Sequence, residues 1–173
     1  MKKIILFALM LALFAYPGAL FAGDPPRNEE VKRVDVSKLP LKDAIRIKRG
    51  NGAKELIMFT DVDCPFCRSA HEWLKSQTNY TLYIFFHPLN IHKHSHDKSV
   101  QILCSKNRIA ALNNALSRKD IGSQTCEAGE KMLGKHMAAG RKVGVGVTPT
   151  FVTDTGVKIS GWGDRARESI LRD

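Results

Sequence analysis

The chain has 173 residues, 27 Lys+Arg against 17 Asp+Glu for a net charge of +10, 43% apolar residues and four cysteines. That is enough for one domain with its own core but not for two, and the basic balance raises nucleic acid or an anionic membrane surface as partners. The cations are scattered from Lys32 to Arg172 without a nucleic-acid motif, so no nucleic-acid partner is expected and the charge reads as solubility and weak steering of acidic partners.

Lys2 and Lys3, an apolar run over residues 4–16, a break at Pro17-Gly18 and small residues ending at Ala22 have the layout of a signal peptide over residues 1–22, cleaved before Gly23. The apolar run is short for a bilayer span, and no later segment is long and apolar enough to form one. Residues 23–38, polar and carrying Pro25-Pro26, read as a leader or linker, and residues 39–173 as the domain. Within it, the apolar pattern of 41–47 closes at the turn Gly50-Asn51-Gly52, and 56–59 reads as a buried strand. Cys64-Pro65-Phe66-Cys67 follows at once, and Ala70, Trp73 and Leu74 then fall at helical spacing. Residues 80–86, rich in aromatic and β-branched side chains, predict a second strand. Helices are expected over 97–111, with 110–116 extending or following it, and over 131–143, with Met132, Leu133, His136 and Met137 on one face. The Gly144 and Gly146 stretch ends the latter. A hairpin of 151–153 and 157–159 around Asp154-Thr155-Gly156 comes next, and Asp164 is placed to cap a last helix reaching Leu171.

The Cys-x-x-Cys pair carries the chemistry. A helix N-terminus offers unpaired N–H groups and positive potential to a thiolate, and Pro at the first helical position loses nothing by lacking its own N–H. Cys64 is therefore expected to be the N-cap, its sulfur accepting from the Cys67 N–H, and to be the exposed nucleophile, with Cys67 one turn deeper as the resolving thiol. Asp61 and Asp63 oppose the thiolate if they approach it, and Pro65-Phe66 adds no titratable charge. The bland alternative for the pair is half of a zinc site. Four cysteines allow three pairings. If Cys64 and Cys67 act together, Cys104 and Cys126 are left for each other, closing a loop of about 23 residues in a structural bridge contributing roughly 3 kcal/mol. His87, His92, His94 and His96 form a second cluster; the last three share one side of an extended segment and would offer a divalent metal a face, but a solvated loop outweighs that reading, so no metal is assigned. His71 and His136 read as surface or partly buried scaffold, and Trp73 and Trp162 as core or rim residues.

The order strand, redox helix, strand, helices, hairpin, helix fits an α/β thioredoxin-like fold with a helical insertion between the redox-helix unit and the hairpin. Residues 59–67, Ile102-Leu103-Cys104, Cys126 and residues 144–151 resemble the catalytic domain of the DsbC/DsbG family of periplasmic disulfide isomerases, from about Leu39 to the C-terminus. The resemblance implies a catalytic pair at Cys64 and Cys67, a structural disulfide between Cys104 and Cys126, and a cis-proline loop at Thr148 and Pro149 whose backbone binds an extended substrate like an added strand. Where thioredoxins place a buried relay Asp, this chain has Met58, so the Cys67 proton must pass through water or another group. The resemblance further implies a periplasmic thiol:disulfide interchange enzyme without a cofactor, an isomerase or reductase of exported proteins with cysteines, kept reduced by a membrane thiol reductase. A net dithiol oxidase is the nearest rival. An exported metal-binding module using the histidines, or a redox-inert component of an envelope assembly, is the rival of another class. Family members carry an N-terminal dimerisation domain for which too few residues precede Gly50 here, so a monomer with narrower clients is expected.

Overall fold

The computed structural model describes residues 33–170. The expected signal peptide, residues 23–32 of the leader and Leu171 lie outside the described residues. Five strands form one sheet: β1 (Ile45–Arg49), β2 (Lys54–Thr60), β3 (Tyr80–Phe86), β4 (Thr150–Thr153) and β5 (Lys158–Ser160), in the spatial order β1-β3-β2-β4-β5. Only β2 and β3 run parallel, with Leu56 opposite Leu82 and Thr60 opposite Phe86. A parallel neighbour needs a crossover, and helix α1 (Pro65–Lys75), which carries the cysteine pair, supplies it. The other three pairings are antiparallel.

β2 is central, so both of its faces are covered, and residues 56 to 60 form an unbroken buried run. Leu56 and Met58 face one side with Leu82, Ile84 and Phe86, and α1, α2 (Ser95–Cys104) and α3 (Arg108–Leu116) cover them through Leu74, Val100, Leu103 and Leu112. Ile57, Phe59 and Phe85 face the other side, under Ala139 and Val143 of α4 (Glu127–Val143). Each such Leu, Ile or Phe contributes about 1.5–3 kcal/mol by leaving water. The last helix, α5 (Asp164–Ile170), packs near β5 with Ala166 and Ile170 buried.

Several boundaries differ from the sequence reading, for local reasons. The helix expected over 97–111 is two: α2 starts at Ser95 and stops at Cys104, whose successor Ser105 is extended, and α3 restarts with the Asn107 side chain accepting from the Ala110 N–H. α4 begins at Glu127 rather than Lys131, because the Cys126 sulfur accepts from the Gly129 N–H at 3.3 Å. It ends at Gly144 in the left-handed region, φ +70°, with the Val145 N–H on the Gly140 carbonyl. Asp164 is the first helical residue rather than a preceding cap. Contacts with the domain begin before residue 39: the Val34 N–H donates to the Gly156 carbonyl, and Val34 and Val36 pack against the second core face.

Cys104 and Cys126 are joined in a disulfide, Cα–Cα 5.8 Å, that ties the end of α2 to the start of α4. Gly129 faces it closely; a Cβ there meets the Cys104 sulfur. His71 and His136 are buried rather than at the surface. His136 bridges the sheet to the segment before β1, its Nδ1 accepting from the Phe86 N–H and its Nε2 donating to the Asp43 carbonyl at 2.7 Å. Both ring nitrogens are thereby occupied by a neutral imidazole, which lets the ring sit in the core.

Candidate active site

Cys64 is the N-cap of α1, with extended backbone angles, and Pro65 occupies the first turn. The cap differs from expectation. The Cys64 thiol points across to the adjacent loop and donates to the Thr148 carbonyl at 3.3 Å, and no side-chain cap bond forms in the dithiol. Nor is Cys64 openly exposed: 4% of it is accessible, against 0% for Cys67, because the Thr148 loop lies over the helix N-terminus. The Thr148-Pro149 peptide is cis, and Pro149 is buried beside it. Two segments 84 residues apart in sequence, the start of α1 and the entry to β4, thus meet at one sulfur.

The two thiols are driven apart in acidity. The pKa of Cys64 is lowered to about 5, first by a hydrogen bond from the Cys67 thiol to the anion, then by the Cys67 N–H, the Thr148 side chain and the Phe66 N–H, all against the opposing effect of burial. Cys67 is pushed far up, chiefly by burial and next by its bond to Cys64. Such a pair holds one reactive thiolate and one protonated partner at neutral pH. The Cys67 Sγ also accepts from the Asp61 N–H at 3.4 Å.

The carboxylates do not oppose the thiolate as the sequence allowed. Asp61 is fully buried and its carboxylate is taken up by four donors: it accepts from the Asp63 N–H (2.9 Å), the Leu89 N–H (2.8 Å), His92 Nδ1 (2.9 Å) and the Ser95 hydroxyl (2.6 Å). Asp63 pairs with Lys98, and the Arg68 guanidinium holds the Val62 and Asp63 carbonyls. The loop before the redox helix is therefore clamped to the loop after β3. This network escaped sequence reasoning; the only signal was an acidic residue three positions before Cys64.

The histidine cluster is dispersed. His87 is buried against Gly140, His92 binds Asp61, His94 is exposed, and exposed His96 lies near Asp97 and Glu130. Among the described residues no three His, Cys, Asp or Glu side chains are grouped to hold a metal ion. Trp73 and Trp162 meet edge-on at 5.5 Å, half-buried at the rim, with the Trp162 indole N–H donated to Ser69 of the redox helix.

A family profile described as Thioredoxin-like domain matches residues 41–167. The chain belongs to this thioredoxin-like domain family. Curated relatives of the thioredoxin-like domain include the probable thiol:disulfide interchange protein DsbC of Bordetella pertussis, 26% identical over 136 residues, 78% of this chain and 47% of that protein. Another is the thiol:disulfide interchange protein DsbC of Salmonella typhimurium, 24% identical over 124 residues, 70% of this chain and 51% of that protein. The chain spans about half the length of the curated relatives it matches. Among solved structures, a disulfide interchange protein from Neisseria gonorrhoeae aligns with a TM-score of 0.68 at 27% identity, over 76% of this chain and 96% of that one. The catalytic domain of Proteus mirabilis ScsC shares the fold, with a TM-score of 0.56 at 18% identity over 75% of this chain and 87% of that one. The solved structures share the thioredoxin-like fold with this chain, and the curated relatives bear the name of thiol:disulfide interchange proteins. Among the described residues, no helix is long and apolar enough to cross a membrane.

Proposed function

We propose that the protein is a thiol:disulfide oxidoreductase that exchanges disulfides with exported proteins in the periplasm. The Cys64 thiolate attacks a client disulfide, a mixed disulfide forms through Cys64, and Cys67 resolves it. The observation that carries this reading is the opposed acidity of the two thiols at the mouth of α1, with Cys64 held against the Thr148 carbonyl. Thr148 and Pro149 are the client platform: an extended client chain adds to the edge of this loop and its sulfur arrives beside Cys64. Phe66 and Val147, both exposed large apolar side chains, flank that point and supply the apolar contact. No cofactor is required, since the electrons move between sulfurs.

The first form of this activity is isomerase or reductase work, with a membrane thiol reductase keeping the pair reduced and the protein acting as a monomer. Net oxidation is the second reading, and one observation favours it. A Cys64 thiolate stabilised down to about 5 makes the reduced protein more stable and Cys64 a better leaving group, both of which favour giving a disulfide away. Trapping decides the matter: Cys67→Ala in cells is expected to accumulate mixed disulfides with exported proteins and Cys64→Ser to accumulate none. A wild-type pair found mostly reduced in cells identifies an isomerase or reductase, and one found mostly oxidised identifies an oxidase. Absence of any adduct with Cys67→Ala refutes exchange through Cys64 altogether.

A further inference from the structure

Resolution of the mixed disulfide requires Cys67 to ionise, and Cys67 is fully buried at the inner side of the motif. The position where thioredoxins carry a relay carboxylate is occupied by Met58 here, whose side chain belongs to the apolar core. Something else must make a buried thiolate tolerable, because an anion away from water is costly unless donors surround it.

One donor is in place and a second is uncommitted. One is the Asp61 N–H, already directed at Cys67 Sγ from 3.4 Å. The second is the hydroxyl of Thr60, the last residue of β2. Alternation along the strand puts Thr60 on the same face as Leu56 and Met58, the face whose core cluster includes Cys67. Its hydroxyl is buried and makes no hydrogen bond in the dithiol form. A buried hydroxyl without a partner costs about 1–3 kcal/mol and calls for an explanation. The main chain around it is held firmly: Thr60 pairs with Phe86 across the sheet, and its carbonyl accepts from the His87 N–H at 2.7 Å. The residue after it, Asp61, is fixed by the four donors on its carboxylate.

We propose that the Thr60 hydroxyl and the Asp61 main-chain N–H form a two-donor site that holds the Cys67 sulfur as an anion while it resolves the mixed disulfide, which makes Thr60 a further catalytic residue. The inference rests on the exchange reading above. Burial drives the Cys67 thiol up, and the Asp61 N–H and the Thr60 side chain are the groups that act in the opposite direction. In the step itself, Cys67 gives its proton to water and its thiolate attacks Cys64 Sγ. The bond between Cys64 and the client sulfur breaks as the Cys64–Cys67 bond forms, and the client leaves as a thiolate that takes up a proton from water. The cysteine pair is oxidised by two electrons, and the client disulfide is reduced by the same two. Thr60 donates a hydrogen bond throughout and transfers no proton.

The test is the reaction of the reduced full chain with 5,5′-dithiobis(2-nitrobenzoate), followed by nitrothiobenzoate release. The first release reports attack by Cys64, and the second reports Cys67 displacing the label from Cys64. Thr60→Val is expected to leave the first release within about twofold and to slow the second at least about tenfold, the size of one hydrogen bond to a charged group. It should also move the pH dependence of the second release upward, and Thr60→Ser should restore both. An unchanged second release in Thr60→Val overturns the inference, as does equal slowing of both releases, which marks a general disturbance. Wild-type protein that shows no second release overturns the exchange reading and this inference together, whereas normal wild-type releases with an indifferent Thr60→Val overturn the inference alone.

Discussion

Cys64 is governed by donors rather than by charges. The Cys67 thiol, two main-chain N–H groups and the Thr148 side chain favour its anion, while the nearby Asp61 and Asp63 are engaged elsewhere. Alkylation of Cys64 by iodoacetamide should therefore rise with pH to half its maximum near pH 5 and be level by pH 7, because the reactive form is the thiolate. A midpoint between 8 and 9, that of a free thiol, contradicts this assignment. Asp61 is the other residue on which the site depends. Asp61→Asn puts an amide NH2 against donors and loses acceptor capacity, and it should cost about 3 kcal/mol in urea unfolding of the full chain. A loss under 1 kcal/mol shows that the loops hold without the carboxylate.

Elements meet here through small residues at close approaches. Gly140 lies in the interior of α4, where Ala is the better helix former by about 1 kcal/mol. The His87 ring nevertheless occupies the space a Cβ would take, and His87 is itself fixed to Thr60 at the end of β2. Gly140→Ala should thus lower stability by about 1–3 kcal/mol, against its helix propensity, because the ring or the helix must shift. A calorimetric melt that rises instead refutes the close approach. The same reasoning explains Gly129 beside the Cys104–Cys126 bridge, whose closed loop contributes roughly 3 kcal/mol. Element boundaries were legible where the chain carries a local stop: Gly144 and the Asp154-Thr155-Gly156 turn appear where the pattern places them. They were not legible where a long-range contact sets them, as at Ser95, whose hydroxyl binds Asp61, and at Cys126, whose sulfur serves at once as cap and bridge.

Across the whole molecule, three buried imidazoles couple stability to pH. Burial is the main reason that His71, His87 and His136 bind protons less readily than their ordinary value of 6.5. The unfolded chain takes up protons that the native fold resists, so their contribution is full above about pH 6.5 and is lost as pH falls through the lowered native values. With Cys64 and Cys67 oxidised, so that neither titrates, the Tm should be flat from pH 7 to 8 and drop between pH 6.5 and 5. A Tm that holds steady down to pH 5 removes the three histidines from this role.

The strand-to-helix placement of Cys64-Pro65-Phe66-Cys67, the apolar runs of β2 and β3 and the turn of the last hairpin were determined by the sequence alone, because turn residues and apolar runs are local properties of the chain. What only the tertiary structure decided is which groups surround the two sulfurs. The Thr148 carbonyl over Cys64, the Asp61 N–H on the Cys67 sulfur, and the clamp on the Asp61 carboxylate join residues up to 84 positions apart. Acidity depends on burial and on donors supplied across the fold, and neither exists until the sheet has brought the loops together.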